Sequence, residues 1–544
     1  MRARARLLAI AAAVIAAFGG LVSLLYATSV HMGAASSDKA TTILLGQAIS
    51  DGNVLLHGWI LPPGNYWTSD AAFYALAIRL GGLRAGLLYA EPAVVAALTI
   101  LVGLLIVLEG RLGRPAIAGS VAVVALLAFS TPAMAFWFVG DGFHVATVLY
   151  TLVAFGALRR GRFGWGWALG VALIAFGMLG DLMIVAYAAV PLLFSGLVTM
   201  LRQRRWQSGV AQVAAAVASV VIGELTLRLA EAMGAFKSGA PLVIASSGQM
   251  LTNLGHVFTY SAYLVGLRNG RFGTGGVPLA LLAVHAAGAV CMAACLLAAL
   301  VGLVAGVVRG RPRDQVPAVG PELWHLDDML VAATVGSAVP FVLLAGANGI
   351  GIHFLALPVV FASVLTGRMV ARVWPKLPSG FVVRALAVAG VAVSLSFSAG
   401  LGYELSLPEP ARTASSLATW LEAHNFGNGI GEYWSAAITT VQSSGRVTVR
   451  PVTVGPHGEM QRLMYQSPAS WYAGQRFQFY VYGATNSKRA DLIFSMRTWG
   501  TPTHVYVVGP YHVLVWDRPL RIASFPPLQA SRRTPELASR RTPV

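Results

Sequence analysis

Acidic residues and cysteine are both scarce in this chain. Of its 544 residues only 21 are Asp or Glu and two are Cys, against 39 Lys and Arg. Cys291 and Cys295 are one helical turn apart in an apolar stretch, so we interpret them as small packing residues and exclude a disulfide framework. Charged residues make up 11% of the chain and hydrophobic residues 56%, with a mean hydropathy of +0.68. These values predict a polytopic membrane protein.

Apolar stretches account for this hydropathy, and most are near the roughly 20 residues that a helix needs to cross a bilayer. The eleven stretches lie at residues 5–27, 90–109, 116–135, 143–158, 164–179, 182–201, 209–233, 277–307, 329–347, 354–373 and 381–403. The span count is most sensitive around residues 164–201, where Gly180 and Asp181 interrupt one long apolar run. Arginines on both flanks of that run favour two spans over one.

Basic residues collect in alternate connectors between these stretches. Seventeen Lys and Arg residues fall in six short segments, at residues 2–6, 111–114, 159–162, 202–205, 309–313 and 368–376. The positive-inside rule then predicts a multi-pass protein of the plasma membrane with a cytoplasmic N-terminus and an extracytoplasmic C-terminal region. Because most basic residues lie where they would contact an anionic leaflet, the net charge of +18 does not indicate nucleic-acid binding.

Four parts of the chain are predicted outside the spans. Residues 404–525 form a small extracytoplasmic α/β or α+β domain, with a helix at 415–425 and strands at 437–441, 446–452, 477–482, 505–508 and 511–516. Residues 526–544 lack a core-forming pattern and are interpreted as a disordered tail. The outer loops 28–89 and 234–276 are too long for turns, and the first contains two interfacial helices at 38–51 and 71–80.

The acids of the predicted outer surface are few. Asp38 follows the first span, where it is either a helix N-cap or a general base. Asp141 lies between two glycines and three residues before His144, where it is either a turn residue or part of a site that a ligand can approach closely. Asp181 is interpreted as a turn residue. Glu224 and Arg228, four residues apart, predict an ion pair inside the seventh span. The run from Gly427 to Trp434 is a glycine-rich turn that could bind a glycan.

The long first outer loop with an early acid, the interfacial helices and the soluble domain after the last span resemble the GT-C superfamily, most nearly its protein mannosyltransferase-like members. These are polytopic glycosyltransferases that use polyprenyl-phosphate-linked sugars. Asp38, in Ser-Ser-Asp-Lys-Ala, matches the family's acid of the first outer loop, and Asp141 matches an acid of the second. Many members pair two acids in the first loop and carry Arg-Tyr before a late span, whereas this chain has Lys39 and His353 there.

The resemblance implies an inverting transfer of a sugar from a polyprenyl-phosphate donor to an extracytoplasmic glycan, lipid or protein, in contact with membrane lipids. Asp38 would be the base. The candidate groups for binding phosphate or substrate are Arg268, Arg271, His353, Lys237, His144, Trp59, Tyr66 and Trp67. The basic side chains among them would stabilise the phosphate by their positive charge, and the aromatic side chains would stack on sugar or lipid. No metal site is predicted, and a divalent cation stays open as a cofactor.

Two other function classes compete with the enzyme. A lipid or glycan transporter would show inverted repeats or mid-membrane charges, and the sequence has no convincing internal repeat. A non-catalytic envelope-assembly protein of the same fold would not need Asp38. The sequence leaves the sugar, the acceptor and the oligomeric state open.

Overall fold

The computed structural model describes residues 2–32, 36–109, 113–238, 243–267, 278–309, 322–345, 351–376, 380–409, 413–483 and 488–522. Its helices in chain order are α1 (Arg2–Met32), α2 (Ser37–Ser50), α3 (Asp70–Gly81), α4 (Leu87–Leu108), α5 (Arg114–Leu127), α6 (Pro132–Ala135), α7 (Val145–Leu158), α8 (Trp165–Gly180), α9 (Val190–Gln203), α10 (Val210–Ala232), α11 (Ser247–Leu264), α12 (Leu279–Arg309), α13 (Glu322–Gly336), α14 (Ala338–Leu343), α15 (Ile352–Val373), α16 (Phe381–Ser406), α17 (Thr413–Ala423), α18 (Tyr433–Gln442) and α19 (Lys488–Trp499). Its strands are β1 (Ile60–Leu61), β2 (Lys237–Ser238), β3 (Asn428–Glu432), β4 (Thr448–Val454), β5 (Met460–Arg462), β6 (Phe477–Tyr482), β7 (His504–Val508) and β8 (Tyr511–Leu520).

Apolar helices form the larger part of the molecule, which is a multi-pass membrane protein. Seven helical segments of the described chain are long and apolar enough to cross a bilayer, and α7 and α8 are shorter apolar helices. Each of the eleven predicted stretches overlaps a helix of this region. The predicted division at Gly180 and Asp181 is confirmed, because α8 ends at Gly180 and Asp181 has an extended backbone.

The third apolar stretch, predicted as one span, is broken. α5 and the segment Pro132–Asp141 are bent by 79° relative to each other. Thr131 begins the second segment by accepting a hydrogen bond at its Oγ1 from the backbone N–H of Met134, at 3.2 Å. Pro132 follows at the first helical position, where its missing N–H has no cost. The break places Asp141 at the end of a π-helical turn, Phe136–Asp141.

Several arginines at the predicted basic ends are buried in ion pairs and do not point to lipid. Arg202 forms two hydrogen bonds to the carboxylate of Asp328, at 3.1 and 3.2 Å. Arg368 pairs with Asp327 at 2.6 Å and also with Glu109. The predicted pair of Glu224 and Arg228 exists at 2.8 Å within α10, the predicted seventh span, with both side chains on the exposed side of the helix.

The C-terminal part is a mixed six-stranded sheet with strand order β5-β4-β3-β6-β8-β7. β3 pairs in parallel with β4 and β6, and the outer pairs are antiparallel. This confirms a small α/β unit after the helical region, and we infer a domain boundary near residue 404, close to the end of α16. The predicted strand 437–441 is wrong, because these residues lie in α18. In a short run of residues that is buried on nearly every side, the two-residue period of a strand cannot be distinguished from the 3.6-residue period of a helix.

The glycine-rich segment after α17 is a buried strand, so the predicted glycan-binding turn is wrong. Gly429 and Gly431 of β3 pair with Phe479 and Val481 of β6. A Cβ at Gly429 would lie 2.3 Å from the Phe479 ring. The glycines therefore allow close packing in the sheet centre, and β3 leads directly into α18.

α18 joins the two parts of the molecule. It packs on α2 through an apolar cluster that includes Ile43, Leu44 and Tyr74 of the first loop and Ile438 and Val441 of α18. α2 and α3 were predicted as helices lying flat in the membrane interface. Nine residues of α2 are buried, because the helix packs between α3 and α18 of the C-terminal domain.

Candidate functional site

Five acids lie near one another where α2, α3 and α4 pack together, next to the π-helical turn and the end of α8. Asp38 lies in the first turn of α2, Asp70 begins α3, Glu91 lies in the first turns of α4, Asp141 ends the π-helical turn and Asp181 follows α8. Asp70, Glu91 and Asp181 are buried, whereas Asp38 and Asp141 are half-buried. The two acids that the resemblance selects are therefore the two with exposed surface in this cluster.

Asp38 is held by the C-terminal domain. The Tyr433 hydroxyl, at the start of α18, donates to Oδ1 of Asp38 and also lies 2.8 Å from Oε1 of Gln466. Burial raises the pKa of Asp38, and the hydrogen bond from Tyr433 offsets part of that rise. Asp38 is not the N-cap of α2, because Ser36 has that position and its Oγ accepts from the Lys39 N–H at 3.2 Å. Of the two roles that the sequence left open for Asp38, the cap is therefore wrong.

Lys39 lies in the interior of the cluster with 1% of its surface exposed. Its ammonium donates to the carbonyl oxygen of Gly140. Burial lowers the pKa of Lys39 to about 8, and the charges of Asp141, Glu91 and Asp70 act against that decrease. Burial also raises the pKa of Asp70 to about 6. The cluster thus combines one buried amine with several carboxyl groups.

A second centre is built on His144 and Asp181. His144 Nδ1 lies 2.6 Å from Oδ2 of Asp181, which also accepts from the Thr147 hydroxyl at 2.5 Å. The other ring nitrogen faces the Tyr66 hydroxyl at 3.3 Å, and the His353 ring stacks on His144 with centroids 5.4 Å apart. With Nδ1–H donated to Asp181, Nε2 of neutral His144 accepts from Tyr66. Asp181 is the predicted turn residue, since its Oδ1 accepts from the Met183 N–H at 3.0 Å, and it is in addition a buried partner of His144.

Burial acts against charge on His144, but the carboxylate of Asp181 outweighs it and raises the pKa of the imidazole. Burial likewise acts to raise the pKa of Asp181, but His144 and Thr147 lower it overall. Each partner thus favours the charged form of the other. The His144–Asp181 pair is held next to the acid cluster.

Asp181→Asn should lower the melting temperature more at pH 6 than at pH 9. Because the pKa of His144 is higher in the folded than in the unfolded protein, protonation of His144 stabilises the fold. This stabilisation is complete below the pKa of the unfolded state and is lost as pH rises through the pKa of the folded state. Asp181→Asn removes this stabilisation, so the decrease in melting temperature that the substitution causes should become smaller as pH rises. Thermal unfolding in detergent measures it. Thr147→Val is the control, since its penalty should not vary with pH; an equally constant penalty for Asp181→Asn would show that His144 does not titrate in the folded protein.

The predicted aromatic residues of the first loop have different surroundings. Trp59 is 2% exposed and packs edge-to-face on Trp471, with ring centroids 5.0 Å apart. Trp67 packs on Phe236 and donates its indole N–H to the Val54 carbonyl oxygen at 2.7 Å. The structure places Tyr66 alone of these three against His144. The hypothesis of sugar stacking is therefore wrong for Trp59, whose ring is covered.

The predicted phosphate-binding groups are not all at the cluster. His353 lies in the first turn of α15, stacked on His144. Lys237 is exposed on β2, where its backbone N–H donates to the Trp59 carbonyl oxygen at 3.0 Å. Arg268 and Arg271 lie outside the described residues. Across the part of the chain that the structure describes, no group of three His, Cys, Asp or Glu side chains is arranged to hold a metal ion.

Comparison with known proteins gives one informative result. No family model and no curated protein matches the chain. Among solved structures, the chain is similar to ArnT from Cupriavidus metallidurans, crystallised with undecaprenyl phosphate, over 92% of this chain and 97% of that one, with a TM-score of 0.50 and 13% identity. The chain has a GT-C-like fold. At 13% identity this similarity concerns the fold alone.

Proposed function

We propose that the protein is a membrane glycosyltransferase that moves a sugar from a polyprenyl-phosphate donor to an extracytoplasmic acceptor, with Asp38 as the catalytic base. The observation that carries the proposal is the position of Asp38. It is a half-buried carboxyl group, fixed by Tyr433, at the exposed side of an acid cluster in a GT-C-like fold. The crystallised ArnT is bound to undecaprenyl phosphate, which supports a lipid phosphate as the donor class.

The charge placement fits this reaction. An acceptor hydroxyl has to lose a proton as its oxygen attacks the anomeric carbon, so a carboxylate of raised pKa is a suitable base. The bond from the anomeric carbon to the donor's phosphate oxygen breaks as the new glycosidic bond forms. The phosphate leaves as an anion and needs positive charge more than an acid. One displacement with one base inverts the anomeric centre.

His144 and His353 are the proposed groups for the phosphate among the described residues. Asp181 favours the charged imidazolium of His144, and the ring of His353 lies beside it at the start of α15. A cation held in a water-poor site stabilises a leaving anion better than one in water. Lys237, Arg268, Arg271, Tyr66 and Trp67 remain proposed contacts to the donor. Asp141, half-buried near Lys39, is proposed to help position the acceptor.

Sugar transfer by the reconstituted wild-type protein tests the proposal. The donors are radiolabelled polyprenyl-phosphate sugars, and a cell-envelope extract supplies acceptors. Appearance of the label in an acceptor would support the proposal. Movement of the intact lipid-linked sugar across the bilayer without transfer would contradict it and favour a transporter, while neither activity would favour an assembly protein.

A further inference from the structure

The hydroxyl of Tyr433 has two oxygen neighbours and a single hydrogen. It donates to Oδ1 of Asp38 and lies 2.8 Å from Oε1 of Gln466. A phenol donates one hydrogen bond and accepts others through its oxygen. When Asp38 is ionised, neither its carboxylate nor Oε1 of Gln466 can donate, so the two oxygens compete for the same hydrogen.

A half-turn of the Gln466 amide removes this competition. The two ends of a side-chain amide have nearly the same reach, and its nitrogen carries two donors. With Nε2 toward Tyr433, the amide donates to the phenol oxygen, and the hydroxyl hydrogen is available to Asp38. Within the part of the chain that the structure describes, the Gln466 side chain has no hydrogen bond other than the one to Tyr433, so no other contact opposes the half-turn.

The backbone of Gln466 is fixed from two sides. Its N–H donates to the carbonyl oxygen of Ile60 in β1 at 2.8 Å, and the hydroxyl of the next residue, Ser467, donates to the carbonyl oxygen of Leu463. Gln466 has a φ of 59°, in the left-handed region that residues other than glycine rarely adopt. Such residues persist where the surrounding contacts determine the backbone, and they concentrate at functional sites. The loop therefore presents the Gln466 side chain to Tyr433 in a defined position.

Other titratable groups also surround Asp38. On the elements packed against α2 they are Asp70, Tyr74 and Arg79 of α3, Tyr89 and Glu91 of α4, and Tyr433 of α18. Lys39 of α2 itself, Tyr66 and Asp141 lie near the same carboxyl group. Of all these groups, the variants below change Tyr433 alone, so a difference between variants in the ionisation of Asp38 reports on the Tyr433 and Gln466 pair.

We propose that Gln466 is a positioning residue, whose side-chain N–H donates to the Tyr433 oxygen and directs the single hydroxyl hydrogen to Asp38. The donated bond polarises the hydroxyl, which strengthens its own hydrogen bond to the carboxylate. With Oδ1 of Asp38 held in this way, Oδ2 is the oxygen that takes the proton of the acceptor hydroxyl. That last step rests on the proposed function, whereas the chain of hydrogen bonds from Gln466 to Asp38 does not.

The experiment measures the ionisation of Asp38 with dicyclohexylcarbodiimide, which modifies protonated carboxyl groups. Mass spectrometry of the peptide that contains Asp38 gives the modified fraction as a function of pH. Gln466→Met removes the donor with little change in size, and the midpoint should rise by roughly 0.4–1 pH unit, the equivalent of one neutral hydrogen bond. In a Tyr433→Phe background the same substitution should cause no further rise. Gln461→Met, which changes a half-buried glutamine of β5, is the control and should keep the wild-type midpoint.

Gln466→Asn covers a Gln466→Met protein that does not fold. Asparagine tolerates the left-handed backbone, but its amide is one methylene shorter and should not reach Tyr433, so the midpoint should rise here too. An unchanged midpoint in a folded variant would overturn the proposal. A lower midpoint would also overturn it, because Gln466 would then be taking the hydrogen as an acceptor, as would an equal rise in the Tyr433→Phe background. The modification does not need sugar transfer, so a failed transfer assay would count against the proposed function alone.

Discussion

Asp38→Asn should reduce sugar transfer by about 10³-fold, within the range that a positioned general base contributes. The amide keeps the size of the carboxylate and still accepts a hydrogen bond from Tyr433, so α2 and its contact with α18 should stay intact. The variant cannot take a proton from the acceptor hydroxyl. Initial rates with saturating donor measure the loss, and thermal unfolding checks that the protein is folded.

Asp51→Asn is the matched control, because Asp51 follows the other end of α2 and is exposed. Its transfer rate should stay within about twofold of wild type, since a surface substitution of this kind changes little. A folded Asp38→Asn protein with the wild-type rate would remove Asp38 from the reaction. Asp141, the other half-buried acid of the cluster, would then be the next candidate for the base.

Tyr433→Phe should lower transfer by about tenfold at acidic pH and much less at alkaline pH. The base has to be ionised, so activity falls as pH decreases through the pKa of Asp38. Burial raises that pKa and the Tyr433 hydroxyl lowers it, so removing the hydroxyl should raise it further and move the acid limb of the profile to higher pH. A hydrogen bond to a charged group contributes about 1.5–3 kcal/mol, which corresponds to tenfold or more.

The pH profile of transfer between about pH 5 and pH 9 distinguishes this effect from lost stability. Tyr472→Phe removes another buried tyrosine hydroxyl of the same domain, one that donates to the Pro451 carbonyl oxygen at 2.5 Å. It should leave the acid limb where it is. A Tyr433→Phe profile that is lower by the same factor at every pH would show that the hydroxyl does not control ionisation of Asp38.

Local patterns predicted the helices well. The 3.6-residue period of the first loop gave α2 and α3 to within one residue at each end, and each predicted apolar stretch overlaps a helix. These elements follow from burial of one continuous apolar surface, which the sequence shows directly. α11, which lies within the predicted loop 234–276, was missed. The bend before Pro132 was missed, because hydropathy does not report the direction of a helix axis.

The partners inside the site could not be predicted in the same way. Tyr433 and Asp38 are 395 residues apart and His144 and Asp181 are 37 apart, so no local spacing relates them. Asp181 was interpreted as a turn residue, which is confirmed, but its pairing with His144 was missed because nothing titratable follows it in sequence. Trp59 was a candidate for stacking on sugar or lipid, but residues of the first loop, the end of α10 and Trp471 bury its ring. In each case the sequence does not show which helix, loop or domain packs against the residue.

The acceptor-bound product of wild-type transfer gives the most direct measurement of the central claim. Reconstituted protein is supplied with a polyprenyl-phosphate sugar of known anomeric configuration, and the product linkage and the released lipid are analysed. The expected result is one free polyprenyl phosphate for each sugar transferred, with the anomeric configuration inverted. Retained configuration would contradict a single displacement with Asp38 as base, and the absence of transfer from every donor would contradict the glycosyltransferase itself.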